Sequence, residues 1–237
     1  MRIKTSNLLV LSGLALFALA MLSSTLRVRR EVVKLDRSDP FRNFQKVDLP
    51  PFQRLILRTG RADTTMKSFQ MRYWWFKTLI MPAGQPRLML LNRVRDSLHW
   101  EVKDGTLIIS GFDTKSSLNS NTAALVLQTP GLQQADIQGS YAVFEGFRAD
   151  SLQLRLAPAS EAELTQCRIG YLDLRVEDRS TATINEGTTI ASLHAGLLRR
   201  ATLRCDDILP GRFTHSVSPE SEVSVKGKAM ALFLRTE

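Results

Sequence analysis

The chain has 237 residues, 43% of them hydrophobic, and a formal net charge of +9 at pH 7. This length accommodates one ordinary domain with an appendage, and the hydrophobic share is sufficient for a packed core. Residues 1–46 contain nine basic and three acidic residues, so most of the positive excess lies ahead of the folded body. The composition therefore disfavours nucleic-acid binding, which requires the excess on the folded surface.

Residues 5–26 form an uncharged, mostly apolar stretch that follows two basic side chains, Arg2 and Lys4. A stretch of this length reaches the roughly 20 residues that span a bilayer, and its basic flank also fits a signal peptide. Because the stretch continues past a small-residue cleavage site at Ala20, we favour a retained anchor over a cleaved signal. We predict an anchor or signal helix over residues 1–30 and a charged tether over residues 31–48.

Four strand-like segments precede the regular part of the chain, at 54–59, 87–92, 98–102 and 106–110. The last two flank the sequence Lys103-Asp104-Gly105, and an Asp-Gly pair between apolar runs is typical of a tight hairpin. We therefore expect this half of the domain to contain an antiparallel pair or irregular turns.

Four aromatic residues stand side by side between these strands: Tyr73, Trp74, Trp75 and Phe76. Exposed, they would form a platform for a protein, glycan or membrane surface, because aromatic side chains dominate binding hot spots and membrane interfaces. Packed inward, they would cap the open end of the core, which is the favoured interpretation. Tyr73, Trp74 and Trp75 are nevertheless the candidate partner-binding residues.

From residue 140 onward, strand-sized segments recur about every 20 residues. Such a short period indicates parallel strands that stack turn upon turn, as in a parallel β-helix, a solenoid of about 20-residue turns. The recurring serines are expected at corners, where their hydroxyls can hydrogen-bond along the stack. The step from 180 to 201 predicts a one-residue insertion near 185–187. The two sets begin at Ser140, Ser160, Ser180, Ala201 and Ser221, and at Leu152, Leu172, Leu193 and Phe213.

Within each repeat, apolar and polar residues alternate strictly, which is typical of a half-buried strand. Leu152, Leu154 and Leu156 are predicted to face inward, with Gln153 and Arg155 facing outward. The next repeat has the same pattern, so that Leu174 is expected beside Leu154 on the adjacent turn. The fold is therefore predicted to be all-β.

The two cysteines, Cys167 and Cys205, fall in different columns of the repeat. Strands two turns apart are separated by about 9–10 Å, whereas a disulfide needs Cα atoms within about 7 Å. We predict two free, mostly buried thiols.

No residue pattern predicts a metal, cofactor or catalytic site. The histidines have no metal-ligand spacing, and the register places His194 outward and His215 inward. Asp173 and Glu163 could form a carboxylate pair of the kind that glycoside hydrolases use, but they lie on different strand faces. We therefore predict no catalytic, cofactor-binding or metal-ligating residue.

Three segments carry a resemblance to a known family: FQRLILRTG at 52–60, DGTLIIS at 104–110 and LVLQTPGLQQADIQGS at 125–140. Over residues 48–237 the chain resembles the auto-transporter adhesin head domains of Bacteroidetes-type bacteria, the GIN domain group. The resemblance implies an exported, right-handed parallel β-helix and transfers no catalytic residue. Residues 61–90 depart from the family's pattern, because they are longer and more aromatic.

The expected protein is a bacterial cell-envelope component with a β-domain over residues 49–237. We expect a single-pass inner-membrane protein with this domain in the periplasm, and export after signal cleavage is the alternative. Arg27, Arg29 and Arg30 follow the span and oppose that orientation.

The expected function is a non-enzymatic scaffold or adhesin-like surface for a protein or glycan partner, without a cofactor. A polysaccharide-acting enzyme on the same fold is the alternative, and the outward pair Arg155 and Arg175 is the feature that favours it. A signalling component of the inner membrane is a third candidate, which no residue supports.

Overall fold

The computed structural model describes residue 17 and residues 19–25, 41–58, 77–111, 123–208 and 210–230. Residues 19–25 are helical. Within the described residues, no helix has both the length and the apolar character needed to cross a membrane. The chain divides into two compact units, Met1–Asn43 and Phe44–Glu237.

All described strands belong to the second unit, which also contains two described 3-10 turns, Arg95–Ser97 and Gly227–Met230. In chain order the strands are β1 (Phe44–Asp48), β2 (Arg54–Arg58), β3 (Lys77–Pro82), β4 (Arg87–Leu91), β5 (His99–Lys103), β6 (Thr106–Ser110), β7 (Ala123–Thr129), β8 (Gln134–Ile137), β9 (Tyr141–Glu145), β10 (Arg148–Leu156), β11 (Glu161–Thr165), β12 (Arg168–Val176), β13 (Thr181–Ile184), β14 (Thr189–Leu197), β15 (Thr202–Asp206), β16 (Arg212–Val217) and β17 (Glu222–Lys226).

The strands form two large sheets, which confirms the all-β prediction. One sheet has the order β1-β4-β7-β3-β9-β11-β13-β15-β17, and the other has the order β16-β14-β12-β10-β8-β2-β6-β5. Both sheets are mixed, because β1 with β4, β4 with β7, and β5 with β6 pair antiparallel. The remaining described pairs are parallel.

The register in the repeated half agrees with the sequence prediction. Leu154 of β10 lies opposite Leu174 of β12, and Leu174 lies opposite Ala195 of β14. β11 and β13 pair residues 20 apart, whereas β12 and β14 pair residues 21 apart. The extra residue therefore lies between β13 and β14, as the sequence predicted.

The core comes from the alternating apolar positions of both sheets, which form one hydrophobic cluster. Leu152, Leu154 and Leu156 of β10 are at most 1% exposed, and the residues between them are exposed. Burying one such leucine stabilises the fold by about 1.5–3 kcal/mol, so the repeated rows account for much of its stability.

Serine side chains join successive turns at one corner. Ser160 Oγ donates to Ile137 O at 2.9 Å and accepts from Gly139 N at 2.9 Å. Ser180 Oγ likewise donates to Ala157 O at 2.7 Å and accepts from Ser160 N at 3.1 Å. The predicted hydrogen bonds along the stack are thus present, and they connect each hydroxyl to the backbone of the preceding turn.

A second corner repeats a backbone conformation that the sequence analysis missed. The residue directly after β9, β11, β15 and β17 has a positive φ, as does Gly187 in the turn after β13. Such a φ favours glycine, yet Gln166 (φ 55°) and Asp207 (φ 53°) also adopt it. A repeated turn geometry imposes this φ whatever the side chain, so residue type alone did not reveal the row. Its members are Gly146, Gln166, Gly187, Asp207 and Gly227.

The first half of the unit contains the predicted hairpin. β5 and β6 pair antiparallel, and the two turn residues Asp104 (φ 50°) and Gly105 (φ 69°) both have the positive φ of a type I′ turn. The unit begins earlier than predicted, because Phe44–Asp48 pairs with β4 and Arg87 Nε contacts Asp48 Oδ1 at 2.8 Å. These residues had been assigned to the tether.

Candidate functional site

The aromatic candidates Tyr73, Trp74 and Trp75 lie outside the described residues, as does Phe76. Their role as a partner-binding platform stays a prediction.

The histidines and cysteines form no metal site in the described part of the chain. His194 is exposed, and its Nδ1 lies 3.0 Å from Thr214 Oγ1. His215 lies in the inward row opposite Ala195, as the register predicted, but its side chain is exposed. The reason is its position on β16, which no further described strand follows in its sheet.

Both thiols are free and buried, as predicted. Cys167 Sγ donates to the backbone oxygen of Phe144 at 3.3 Å, and burial raises the pKa of this thiol. Burial also raises the pKa of Cys205 to about 12, with a smaller contribution from the charge of Asp206. Neither thiol is therefore a ready nucleophile at neutral pH.

The arginine pair that favoured an enzyme is neutralised within the chain. Arg155 Nε contacts Glu177 Oε1 at 2.9 Å, and Arg175 Nε contacts the same oxygen at 3.5 Å. The hydrogen bond to Glu177 raises the pKa of Arg155 above its ordinary value. Arg155 Nη1 also lies 3.9 Å from Asp136 Oδ2, so two carboxylates compensate the two guanidinium groups.

The structure does not bring the candidate carboxylate pair together. Asp173 lies on β12 in one sheet, whereas Glu163 lies on β11 in the other. Glu163 Oε1 instead accepts a hydrogen bond from the Tyr141 hydroxyl at 2.9 Å.

A groove with a volume of about 1340 Å³ runs across six neighbouring strands of the second sheet. We call it the corner groove. It lies where β14, β12, β10, β8, β2 and β6 begin, and at about 4.8 Å per strand its length is about 24 Å. Its lining residues are 51–54, 104–105, 130–133, 148–151, 168–170 and 189–191.

A difference in strand length produces the groove. β10 pairs with β12 from Arg148 onward, but its pairing with β8 begins only at Gln153. The chain before β8 takes a shorter path through residues 130–133, so the first part of β10 has a strand neighbour on one side only. This part of β10, which pairs with β12 but not with β8, forms one wall of the corner groove.

The backbones of neighbouring strands approach closely beside this wall. The ladder between β10 and β12 skips Asp150, and a Cβ on the facing Gly170 would lie 2.5 Å from Asp150 O. Between β14 and the start of β16, a Cβ on Gly211 would likewise lie 2.8 Å from Ala191 O. The close approach of the two backbones therefore requires glycine at 170 and 211.

Three exposed arginines line the groove: Arg54, Arg148 and Arg168. None forms an ion pair with a carboxylate of the described residues, although Asp104 and Asp150 also line the groove. Arg148 and Arg168 lie directly opposite each other on adjacent strands. Like charges in this arrangement repel, and no described residue supplies a bridging carboxylate of the kind that Glu177 provides elsewhere.

The rest of the lining combines buried apolar side chains with exposed amides and hydroxyls. The buried apolar side chains are Phe52, Leu132, Ile169 and Ile190. The exposed amides and hydroxyls belong to Gln53, Gln133, Ser151 and Thr189.

Sequence analysis missed the corner groove, although one signal was visible. Arg148 and Arg168 stand 20 residues apart and repeat in phase with the strands. They precede the alternating segments from which the core was predicted, so a pattern of buried positions does not include them. A search for charged residues at the repeat period would have found the pair.

No protein-family model matches the chain, and a search of curated proteins finds no match. Among solved structures, a "putative adhesin" from Bacteroides fragilis is similar with a TM-score of 0.43 at 12% identity, over 78% of this chain and 95% of that one. A protein of the same description from Parabacteroides merdae has a TM-score of 0.42 at 10% identity, over 77% and 95%. A "putative lipid binding protein" from Parabacteroides distasonis has a TM-score of 0.36 at 10% identity, over 78% and 93%. At these identities and TM-scores the likeness assigns neither a family nor a function to this chain.

Proposed function

We propose that residues 44–237 form a right-handed parallel β-helix that acts as a non-catalytic binding module, with the corner groove as its ligand site. The β-helix proposal is supported by the parallel pairing of strands 20 or 21 residues apart in both sheets. It is also supported by the two corners that repeat at the same interval.

The observation that carries the binding role is the corner groove itself. It is open along six strands, one wall is a length of β10 that pairs with β12 but not with β8, and its arginines have no described carboxylate partner. A site about 24 Å long and accessible along its length fits an extended partner, a linear glycan or peptide, better than a compact small molecule.

The alternative, a polysaccharide-acting enzyme, has less support. Its candidate arginine pair binds Glu177, and its candidate carboxylates lie in different sheets. We therefore keep the binding role as the proposal.

We further propose that residues 1–30 tether the module to a bacterial inner membrane, with the β-domain in the periplasm. The support is the uncharged stretch at 5–26 and the basic flank of Arg2 and Lys4 that precedes it, whereas the arginines at 27, 29 and 30 oppose this orientation.

A substitution that fills the groove without straining the backbone tests the binding role. A Cβ at Gly131 would meet no atom within 4 Å, so Gly131→Trp is expected to fold and to occupy the groove. Gly84 has equal space but lies outside the groove, in the turn between β3 and β4, so Gly84→Trp is the matched control.

Binding of the full-length chain to an array of linear glycans and peptides is the measurement. We expect the unmodified chain and Gly84→Trp to bind the same ligands, and Gly131→Trp to lose them. If Gly131→Trp retains every ligand, the groove is not the binding site.

A further inference from the structure

We propose that the corner groove binds a linear polysaccharide that carries carboxylate groups, with Arg148 and Arg168 as its principal charge contacts. This inference rests on the proposed binding role of the groove and adds the chemical class of its ligand.

The first argument is the uncompensated charge. Arg148 and Arg168 lie opposite each other on adjacent parallel strands, about 4.8 Å apart, where like charges destabilise the pairing. The corresponding pair Arg155 and Arg175 is bridged by Glu177. A carboxylate of a ligand would bridge the groove pair in the same way, because a guanidinium group binds a carboxylate with two parallel hydrogen bonds.

The second argument is the repetition of charge along the groove. Arg54 is the first residue of β2, which lies two strands beyond β10 in the sheet, so it is about 10 Å further along the stack. A ligand that contacts both ends must carry negative groups at intervals, as a charged linear polymer does.

The third argument is the chemistry of the remaining lining, which fits sugars. Among the described lining residues the only aromatic ring is that of Phe52, which is 4% exposed, so bases have no stacking surface. Protein partners usually insert large apolar anchors, and the apolar lining here is already buried in the core. The exposed amides and hydroxyls of Gln53, Gln133, Ser151 and Thr189 can each donate and accept, as sugar hydroxyls require.

Two acidic residues of the groove narrow the class of charged polysaccharide that it can bind. Asp104 and Asp150 can accept hydrogen bonds from ligand hydroxyls, but they repel a densely charged chain. They therefore disfavour heavily sulfated or phosphorylated polymers and favour a chain with one carboxylate per sugar.

Calorimetric titration of the full-length chain with oligogalacturonate, a linear polymer of uronic acid, tests the inference. Its methyl ester has the same backbone without the charges and is the ligand control. The protein variant is Arg148→Gln with Arg168→Gln, and the matched control is Arg155→Gln with Arg175→Gln, which removes the same charge from the same two strands. Thermal melting verifies that both double variants are folded.

We expect the acid to bind, with a Kd that rises with salt because the contacts are ionic. The methyl ester and the groove variant should each bind at least about tenfold more weakly, since a hydrogen bond to a charged group contributes about 1.5–3 kcal/mol. The control variant should retain the Kd within about twofold, because it leaves the groove unchanged.

Other outcomes separate this inference from the binding role. Equal binding of acid and ester, or an equal loss in both double variants, would overturn the charge contacts while the groove could still be a ligand site. Absence of binding to either polymer would overturn the ligand class. The result with Gly131→Trp decides the binding role independently of these outcomes.

Discussion

At the scale of single residues, the buried serines show how a corner is held. Each hydroxyl joins its own turn to the backbone of the turn before it, while Ala201 occupies the same column without such a bond. A side chain as small as serine or alanine therefore fits this column, and a serine there also forms hydrogen bonds to the preceding turn.

Ser160→Ala should lower the free energy of unfolding by about 1–3 kcal/mol, because it leaves the buried Gly139 N without its partner and removes one of the two hydrogen bonds to Ile137 O. Urea denaturation is the measurement. Ser151 is exposed, so Ser151→Ala should change the free energy by less than about 0.5 kcal/mol. Similar losses for the two variants would contradict the structural role of Ser160.

The buried thiol of Cys205 makes stability depend on alkaline pH. Burial raises its pKa to about 12, whereas in the unfolded chain the thiol ionises near about pH 8.5. Between these values the unfolded state binds fewer protons than the native state, so stability falls as pH rises.

Between about pH 9 and pH 12, the fall should be less steep in Cys205→Ala than in the unmodified chain, by up to about 1.4 kcal/mol per pH unit. Denaturation of both proteins at a series of pH values measures this difference. The lysines and tyrosines are the same in the two proteins, so their titration cancels when the two profiles are subtracted. Parallel pH profiles would show that the thiol ionises equally in both states.

At the scale of strands, inward and outward positions should respond differently to substitution. Leu174→Asp should unfold the β-domain, because Leu174 is fully buried between Leu154 and Ala195 and a carboxylate there has no partner. Circular dichroism and thermal melting are the measurements. Arg175→Ala should lose less than about 1 kcal/mol, because its ion pair with Glu177 is exposed. Equal destabilisation would contradict the register.

The strands of the repeated half were predictable because their signals are local. Period-two alternation identified β10 and β12, and the repeat length placed Leu154 beside Leu174. The corner groove was not predictable in this way, because it depends on β8 being shorter than its neighbour β10. That difference becomes a groove only when the two strands lie side by side.

At the scale of the whole molecule, the β-domain and the N-terminal unit form separate compact units. A chain of residues 44–237 should therefore melt within about 4 °C of the full-length chain, a shift equivalent to about 1 kcal/mol or less. On cell fractionation the full-length chain should be found with membranes and the shortened chain should not. Recovery of the full-length chain in the soluble fraction would contradict the proposed tether.

The sequence by itself determined the strand positions of the repeated half, the inward rows, the one-residue insertion and the hairpin at 104–105, because alternation, repeat length and turn residues act over a few neighbouring positions. Tertiary structure alone decided the mixed order of both sheets, the neutralisation of Arg155 and Arg175 by Glu177 and Asp136, and the corner groove. The physical reason is that these features depend on which strands become neighbours across the stack, and that pairing is set by packing between residues far apart in the chain.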